Sequence, residues 1–204
     1  MPSPGGLTVL SAPSGAGKSS LIKALLGDPR AAGTAYAVSH TSRAPRPGEA
    51  DGQDYHFVSP GEFREMIAKG VFLEWTETFG NYYGTSRPLI ERQLASGLKV
   101  IADVDIVGAR AFREAFPEAK LVFVAPPSFR ALADRLAGRR TEDEESAGRR
   151  LARAAEEAAA RDFFDFLLIN DDFAAAENEL VDIVTKGTGR PVEGPPGFWE
   201  NFFK

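Results

Sequence analysis

Five short apolar runs are spaced along the chain, and each has the length of a β-strand. The first covers residues 7–10 and ends at a loop rich in serine and glycine. The other four cover residues 35–38, 100–104, 121–125 and 166–169. Runs that are apolar at nearly every position, without polar alternation, are typical of strands buried on both faces of a parallel sheet.

Helical patterns fill most of the intervals between these runs. After the first loop, Leu21, Ile22 and Leu25 fall on one face of a predicted helix that ends at residues 27–29. Further helices are predicted near residues 87–95, 108–116 and 128–136. Strands that alternate with helices form right-handed βαβ units. The pattern therefore predicts an α/β fold with a five-stranded parallel sheet flanked by helices.

Residues 54–84 break this alternation and predict an inserted lobe of mixed α+β structure. Aromatic, strand-like pieces at residues 55–58 and 72–75 flank a short helix predicted at residues 62–68. Residues 141–161 are rich in Arg, Glu and Ala, and Thr141 with Glu144 matches a capping box. This second segment has too little apolar surface for a core, so we expect an exposed helical flap.

The C-terminal residues, 187–204, contain Gly, Pro and a late aromatic cluster: Phe198, Trp199, Phe202 and Phe203. We expect a loosely held extension that docks these aromatic side chains onto the body of the chain. A peptide that binds a partner protein is the alternative, because chain termini are often unordered unless something holds them.

Composition excludes several classes of function. Of the 204 residues, 43% are hydrophobic and 26% are charged, which is close to the globular norm. The net charge of −5 argues against nucleic-acid and membrane-surface partners. The absence of cysteine excludes thiol chemistry, and two histidines make a His-rich zinc site unfavourable. With no apolar stretch near the roughly 18 residues of a membrane span, a cytoplasmic protein is expected.

Residues 11–19 carry the pattern of a phosphate-binding loop between a strand and a helix. Gly15 and Gly17 allow successive backbone N–H groups to face phosphate oxygens. Lys18 would reach the β- and γ-phosphates of ATP, and the Ser19 hydroxyl would ligate Mg²⁺. One departure is visible, since the standard pattern begins with Gly and this chain has Ala12.

A phosphate loop identifies the phosphoryl donor but not the acceptor. GTPases, motor ATPases and small kinases all use such a loop. The chain is short for a motor and lacks the Asn-Lys-x-Asp motif of GTPases, so a small kinase is predicted. For the acceptor, Arg43 and Arg46 offer planar forks to a phosphate. Glu74 stands among apolar residues, and its carboxylate can accept both adjacent donors of a guanine base, which adenine lacks.

In five signatures the chain resembles guanylate kinases (ATP:GMP phosphotransferases), which are P-loop nucleoside monophosphate kinases. The resemblance covers about residues 7–186 and rests on SAPSGAGKSS at 11–20, VSHTSRAPRPGE at 38–49, FLEW at 72–75, GNYYGT at 80–85 and NDD at 170–172. It implies a P-loop core (residues 1–38, 89–127 and 162–186), a GMP-binding lobe (39–88), a lid (128–161) and a C-terminal extension (187–204).

The same resemblance implies the residues of the site. ATP would be bound by Ser14, Gly15, Ala16, Gly17, Lys18, Ser19, Ser20 and Asn170. GMP would be bound by Ser39, Arg43, Arg46, Tyr55, Glu74, Tyr83, Thr85 and Asp105. The catalytic set would be Lys18, Arg43, Arg135, Arg139 and Arg150, and Mg²⁺ would be held by Ser19 and, through water, Asp103. Which of Asp103 and Asp105 reads the base and which serves the metal is open.

The implied reaction transfers the γ-phosphoryl group of ATP to GMP or dGMP, as a step in GTP supply and GMP recycling. A monomer or a homo-oligomer is expected. Two positions depart from the family pattern: Val107 replaces a common Gln, and Arg140 replaces a common Gly. Two alternatives remain, a non-catalytic guanylate-kinase-like peptide-binding module and a P-loop kinase for another phosphorylated acceptor, such as a ribose bisphosphate.

Overall fold

The computed structural model describes residues 6–137, 152 and 155–202. Within these residues the strands are β1 (Leu7–Ser11), β2 (Thr34–Tyr36), β3 (His40–Thr41), β4 (His56–Phe57), β5 (Phe72–Thr78), β6 (Asn81–Ser86), β7 (Lys99–Asp103), β8 (Lys120–Ala125) and β9 (Phe166–Ile169). The helices are α1 (Lys18–Gly27), α2 (Pro60–Ala68), α3 (Arg87–Ala95), α4 (Ile106–Ala115), α5 (Phe129–Ala137), α6 (Phe173–Lys186) and α7 (Phe198–Phe202). Short 3₁₀ turns cover Pro29–Ala31 and Arg161–Phe163.

The main sheet has five strands in the order β2-β7-β1-β8-β9, and all four pairings are parallel. The predicted five-stranded parallel sheet is therefore confirmed. The first strand after α1 ends two residues earlier than predicted, at Tyr36 rather than Val38. Here the N–H of Val38 donates to the carbonyl of Tyr36 at 3.1 Å. This three-residue turn directs the chain off the sheet edge.

Buried side chains alternate between the two faces of the main sheet. In β8, Leu121 and Phe123 pack into one hydrophobic cluster, whereas Val122 and Val124 pack into the other. Helices α3 and α4 supply Ile90 and Phe112 to the first cluster, and α1 and α6 cover the second. The continuous apolar runs of the sequence thus correspond to strands that are covered on both faces.

A second sheet forms the inserted lobe, in the order β4-β3-β6-β5. The β3–β4 pair is parallel and the others are antiparallel, so the predicted mixed lobe is confirmed. Helix α2 begins at Pro60, two residues before the predicted start, because Ser59 and Glu62 form a reciprocal capping box. Phe63 of this helix is fully buried against the lobe sheet.

His40 is the first residue of β3 in this lobe and is 8% exposed, and its ring centroid is 4.8 Å from that of His56. Its Nδ1 has no hydrogen-bond partner within the described residues. Burial, followed by the neighbouring His56, lowers the pKa of His40 from 6.5 to about 4. The imidazole is therefore neutral in the folded protein at pH 7, as a structural residue would be.

This burial predicts a pH dependence of stability. Between pH 6.5 and 4 the unfolded chain binds a proton at His40 that the folded chain excludes, so the free energy of unfolding falls as the pH decreases. The His40 contribution is at most about 1.4 kcal/mol per pH unit. Urea unfolding at several pH values should show a shallower slope for His40→Asn. His56→Asn should keep most of the slope, because burial is the first cause; an unchanged slope in His40→Asn would contradict this account.

The C-terminal extension docks on the main body, as predicted, through its aromatic side chains. Phe202 is 2% exposed, and the Trp199 ring centroid lies 6.0 Å from that of Phe123 in β8. The Trp199 indole N–H donates to the carbonyl of Val192 at 2.9 Å. The Arg161 guanidinium lies 4.3 Å from the Trp199 ring, a cation–π distance. Phe203 is outside the described residues.

Phe202→Ala is expected to lower the free energy of unfolding by about 3 kcal/mol, because it leaves a cavity against the core. Phe79→Ala is the matched control, since Phe79 is 99% exposed, and its effect should stay within about 0.5 kcal/mol. Urea denaturation of both variants measures the difference. Equal effects would mean that the extension does not contribute to the core.

Only the ends of the predicted lid segment are described: α5, a helical stretch at residues 155–159, and the 3₁₀ turn that follows it. The Thr141–Glu144 capping box, Arg139, Arg140 and Arg150 lie outside the described residues. Within the described part of the chain, no helix combines the length and apolar character that crossing a bilayer requires.

Candidate active site

The phosphate-binding loop connects β1 to α1 at the carboxyl edge of the main sheet. Gly15 and Gly17 have φ of 93° and 92°, in the left-handed region that strongly favours glycine. A Cβ at Gly17 would also collide with the side-chain amide of Asn170. Gly17 is the N-cap of α1, so the positive end of the helix dipole faces the cavity that the loop encloses.

This loop cavity has a volume of about 500 Å³. Six of the predicted ATP-binding residues line it: Ser14, Gly15, Gly17, Lys18, Ser19 and Ser20. Val104, Asp105 and Glu157 also line it. Ala16 is fully buried behind the loop. The cavity lies at the carboxyl ends of parallel strands, where α/β proteins bind their ligands.

The Lys18 side chain crosses toward the end of β7. Its Nζ donates to the Val104 carbonyl at 3.1 Å and lies 3.5 Å from Asp103 Oδ2. About one fifth of each of the Lys18 and Asp103 side chains is exposed. A cation in this position has a carbonyl and a carboxylate as partners, at the place where phosphates would enter.

Asn170 supports the loop from behind and does not line its cavity. It is 7% exposed, and its Nδ2 donates to the Ala16 carbonyl at 2.7 Å. Arg135 of α5 donates from Nη2 to the Asn170 carbonyl at 2.8 Å. These two bonds connect the phosphate loop, the end of β9 and the start of the lid segment. The predicted contact of Asn170 with adenine stays a prediction.

A second cavity, of about 210 Å³, lies between the lobe and the main sheet. Five of the predicted GMP-binding residues line it: Ser39, Tyr55, Glu74, Tyr83 and Asp105. Thr85 is 2% exposed and supports this wall, since its Oγ1 donates to Glu74 Oε1 at 2.5 Å and lies 3.2 Å from Ser39 Oγ. Tyr36, Asp103 and Val104 complete the side that faces the main sheet.

Glu74 reaches this cavity because of an irregularity in the lobe sheet. The pairing of β5 with β6 shifts by one residue between Phe72 and Glu74, a β-bulge of the kind that re-aims side chains. Burial raises the pKa of Glu74, the hydrogen bond from Thr85 lowers it, and the charges of Asp105 and Asp103 raise it again. The net shift is upward, so this carboxylate is destabilised until donors face it.

Neither of the two predicted phosphate arginines, Arg43 and Arg46, lines the second cavity. Arg43 donates from Nη2 to both carboxylate oxygens of Glu49 at 2.9 Å, and its guanidinium lies 5.6 Å from the Tyr55 ring centroid. The backbone N–H of Arg46 donates to the same carboxylate at 2.7 Å, and the Arg46 side chain is exposed. Glu49 was missed as a site residue, although it lies in the same motif, three residues after Arg46.

Asp103, the last residue of β7, and Asp105, two residues later, have different hydrogen-bond partners. Asp105 caps α4, with its Oδ1 accepting from the N–H of Gly108 at 2.9 Å. Gly108 permits close packing, because a Cβ there would approach Val104 Cβ at 2.8 Å and Glu74 Cγ at 3.2 Å. Asp103 accepts at Oδ1 from the Tyr36 hydroxyl at 2.7 Å. Sequence analysis did not identify Tyr36, which lies 67 residues away along the chain.

Val107, one of the two departures from the family pattern, is 74% exposed on α4. It does not line the second cavity. Ser19 and Asp103 line a third cavity, of about 330 Å³, which Tyr36 also lines. No cluster of three or more potential metal-ligating side chains (His, Cys, Asp or Glu) occurs among the described residues.

The fold and the two adjoining cavities define the class of the protein, a P-loop kinase of α/β architecture. TT1252 from Thermus thermophilus supports the fold alone, at 16% identity and a TM-score of 0.51. The guanylate kinase family model matches residues 5–187, which is most of the chain. The chain belongs to the guanylate kinase family.

Individual relatives agree with this assignment. Guanylate kinases of Shewanella violacea and Thiobacillus denitrificans are each 49% identical to the chain, over 88% and 89% of its length and 86% of theirs. The crystal structure of guanylate kinase from Anaplasma phagocytophilum superposes with a TM-score of 0.68 at 29% identity, covering 90% of this chain and 86% of that one.

Proposed function

We propose that the protein transfers the γ-phosphoryl group of ATP to GMP, or to dGMP, and releases ADP and GDP. The observation that carries the proposal is the common wall of the two cavities, since Val104 and Asp105 line both the loop cavity and the second cavity. ATP on the phosphate loop and GMP in the lobe would therefore be separated only by the wall that Val104 and Asp105 form. Proximity of this kind replaces a bimolecular step by an effectively unimolecular one.

On the donor side, the backbone N–H groups from Ser14 to Gly17 and the start of α1 would hold the ATP phosphates. Lys18 would leave the Val104 carbonyl and bind β- and γ-phosphate oxygens. Ser20 would add a hydroxyl at the loop wall, and Asn170 would keep the loop in shape through Ala16 while contacting adenine. The geometry at Gly17, where no Cβ fits, supports this use of the loop.

On the acceptor side, Glu74 would accept from the N1–H and the exocyclic amine of guanine, and Thr85 would donate to O6. Ser39 and Asp105 would complete the contacts to the base. Tyr55 and Tyr83 would donate to the GMP phosphate with Arg43 and Arg46, after Arg43 exchanges Glu49 for that phosphate. The raised pKa of Glu74 supports this assignment, since a desolvated carboxylate gains most from two facing donors.

Residues for Mg²⁺ are present and fit its chemistry. Ser19 and Asp103 offer oxygen ligands around one cavity, and Mg²⁺ normally takes few protein oxygens beside waters and substrate phosphates. We propose that Ser19 holds the ion directly and Asp103 through water. When bound, the ion would neutralise charge on the transferred phosphoryl group.

The residues of the chain would act by alignment rather than by proton transfer. The attacking GMP oxygen is already negatively charged, so the reaction needs no general base. Lys18 and Arg43 would balance charge on the donor and acceptor phosphates, and Arg135 would join them from α5. Arg139 and Arg150, outside the described residues, are proposed to close on ATP with the rest of the lid (128–161).

An assay of ADP release with GMP, dGMP, AMP and UMP in parallel tests the proposed function. Turnover with GMP and dGMP, and little with AMP or UMP, is expected. Activity without a purine preference would favour a kinase for another phosphorylated acceptor. No ADP release with any of the four acceptors would favour the non-catalytic binding module. The three-part division of the chain, a cytoplasmic location, and a monomeric or homo-oligomeric state without nucleic-acid or membrane partners stay predictions.

A further inference from the structure

We propose that Tyr36 is a positioning residue that keeps the Asp103 carboxylate away from Lys18, so that the ammonium group remains available for the ATP phosphates. The proposal rests on the proposed ATP site but not on the identity of the acceptor. Its starting observation is that the two oxygens of Asp103 have different partners. Oδ1 accepts from the Tyr36 hydroxyl at 2.7 Å, whereas Oδ2 is 3.5 Å from Lys18 Nζ.

The separation between Asp103 and Lys18 is longer than a charge-assisted hydrogen bond, which is normally about 2.7–2.9 Å. Lys18 instead donates to the Val104 carbonyl at 3.1 Å. A buried or partly buried ion pair gains energy as it shortens, and rotation about the last torsion of an aspartate is soft. Something must therefore hold the carboxylate back, and the Tyr36 hydroxyl is the donor in position to do so.

Tyr36 is itself held firmly by the main sheet. It is the last residue of β2, paired with Ile101 of β7, and its carbonyl accepts from Gln93 Nε2 at 3.2 Å. Its ring packs against the hydrophobic cluster under α1 and α6. Burial, and then the charge of Asp103, raise the pKa of Tyr36, which keeps the hydroxyl protonated as a donor. The ring thus packs in the hydrophobic cluster, whereas the hydroxyl binds Asp103, so a substitution can remove the second contact and keep the first.

Tyr36→Phe retains the ring and removes only the donor. The carboxylate of Asp103 is then expected to rotate toward Lys18 and form a closer ion pair. Competition from this pair should raise the Kd for ATP, measured by calorimetry in EDTA at low ionic strength, about fivefold. Tyr82→Phe is the matched control, since Tyr82 lies in the lobe and stacks on Phe63, and its Kd should stay within about twofold of the parent.

A double-mutant cycle separates positioning from packing. In the Asp103→Ala background no carboxylate can capture Lys18, so adding Tyr36→Phe should leave the Kd for ATP unchanged. An effect of Tyr36→Phe that is equal in both backgrounds would overturn the proposal. So would an unchanged Kd for Tyr36→Phe alone.

A second readout does not require ATP binding. Acetic anhydride labelling of Lys18, quantified by mass spectrometry relative to the exposed Lys69, should be slower in Tyr36→Phe than in the parent. The difference should vanish in the Asp103→Ala background, and equal labelling of parent and variant would contradict the proposal. If the parent chain binds no ATP, the proposed function fails, whereas the labelling comparison still decides the role of Tyr36.

Discussion

Lys18→Ala is expected to lower kcat with ATP and GMP by about a thousandfold or more, because charge developing on the transferred phosphoryl group loses its nearest protein cation. Lys18 is the first residue of α1, with its Nζ at the wall between the two cavities. Among the residues that the structure describes, no other lysine lines the loop cavity. Steady-state measurement of ADP release gives the comparison.

Lys69→Ala is the matched control for this loss. Lys69 is also at a helix end, but its side chain is 70% exposed and forms a surface ion pair with Glu65 at 3.5 Å. Surface ion pairs of this kind contribute little to the free energy of unfolding. The kcat of Lys69→Ala should therefore stay within about twofold of the parent. A Lys18→Ala variant with near-parental kcat would show that the phosphate loop does not carry the reaction.

Glu74→Gln is expected to raise the KM for GMP by roughly tenfold to a hundredfold, the range for losing a hydrogen bond to a charged group. The amide would turn a donor toward the N1–H of guanine. The same donor could face the N1 acceptor of adenine, so the preference for GMP over AMP should also narrow. The ratio of kcat/KM for GMP to kcat/KM for AMP, compared between the parent and the variant, measures this preference.

Glu77→Gln provides the comparison within the same strand. Glu77 lies in β5 and is exposed, so neither the KM nor the base preference should change. The hydrogen bond from Thr85 to Glu74 Oε1 can persist in Glu74→Gln, since an amide oxygen also accepts. Unchanged base discrimination in Glu74→Gln would remove the basis for guanine recognition by this carboxylate.

Local sequence signals predicted the elements that depend on local chemistry. The apolar run and the glycine-rich loop predict β1, the phosphate loop and α1, because strand propensity, left-handed glycines and a helix N-terminus are properties of a few consecutive residues. β9 and α3 match their predicted bounds. The start of α2 could have been predicted from the same kind of local signal, because Ser59 and Glu62 have the spacing of a capping box. The predicted helix nevertheless begins at residue 62, two residues after the observed start at Pro60.

The features that the sequence did not predict depend on how the chain folds back and pairs with itself. Glu74 could be singled out as a carboxylate in apolar surroundings, but the β-bulge that turns it toward the second cavity depends on pairing with β6. Glu49 can be read from its motif, whereas its bond to Arg43 depends on how the loop folds back. β3 has only two residues and no periodic signal, and it exists because β6 pairs with it.

The sequence by itself determined the α/β class, the five parallel strands and the phosphate loop, and it predicted the residue types of the proposed guanine site. Each of these follows from a short run of residues whose chemistry has a direct structural meaning. Tertiary structure alone decided that Val104 and Asp105 form one wall for two cavities, that Asn170 braces the loop, and that Tyr36 holds Asp103. These relations join residues brought together only when parallel strands end at one edge of a sheet. The spacing of these residues along the chain does not predict how close they lie in the folded protein.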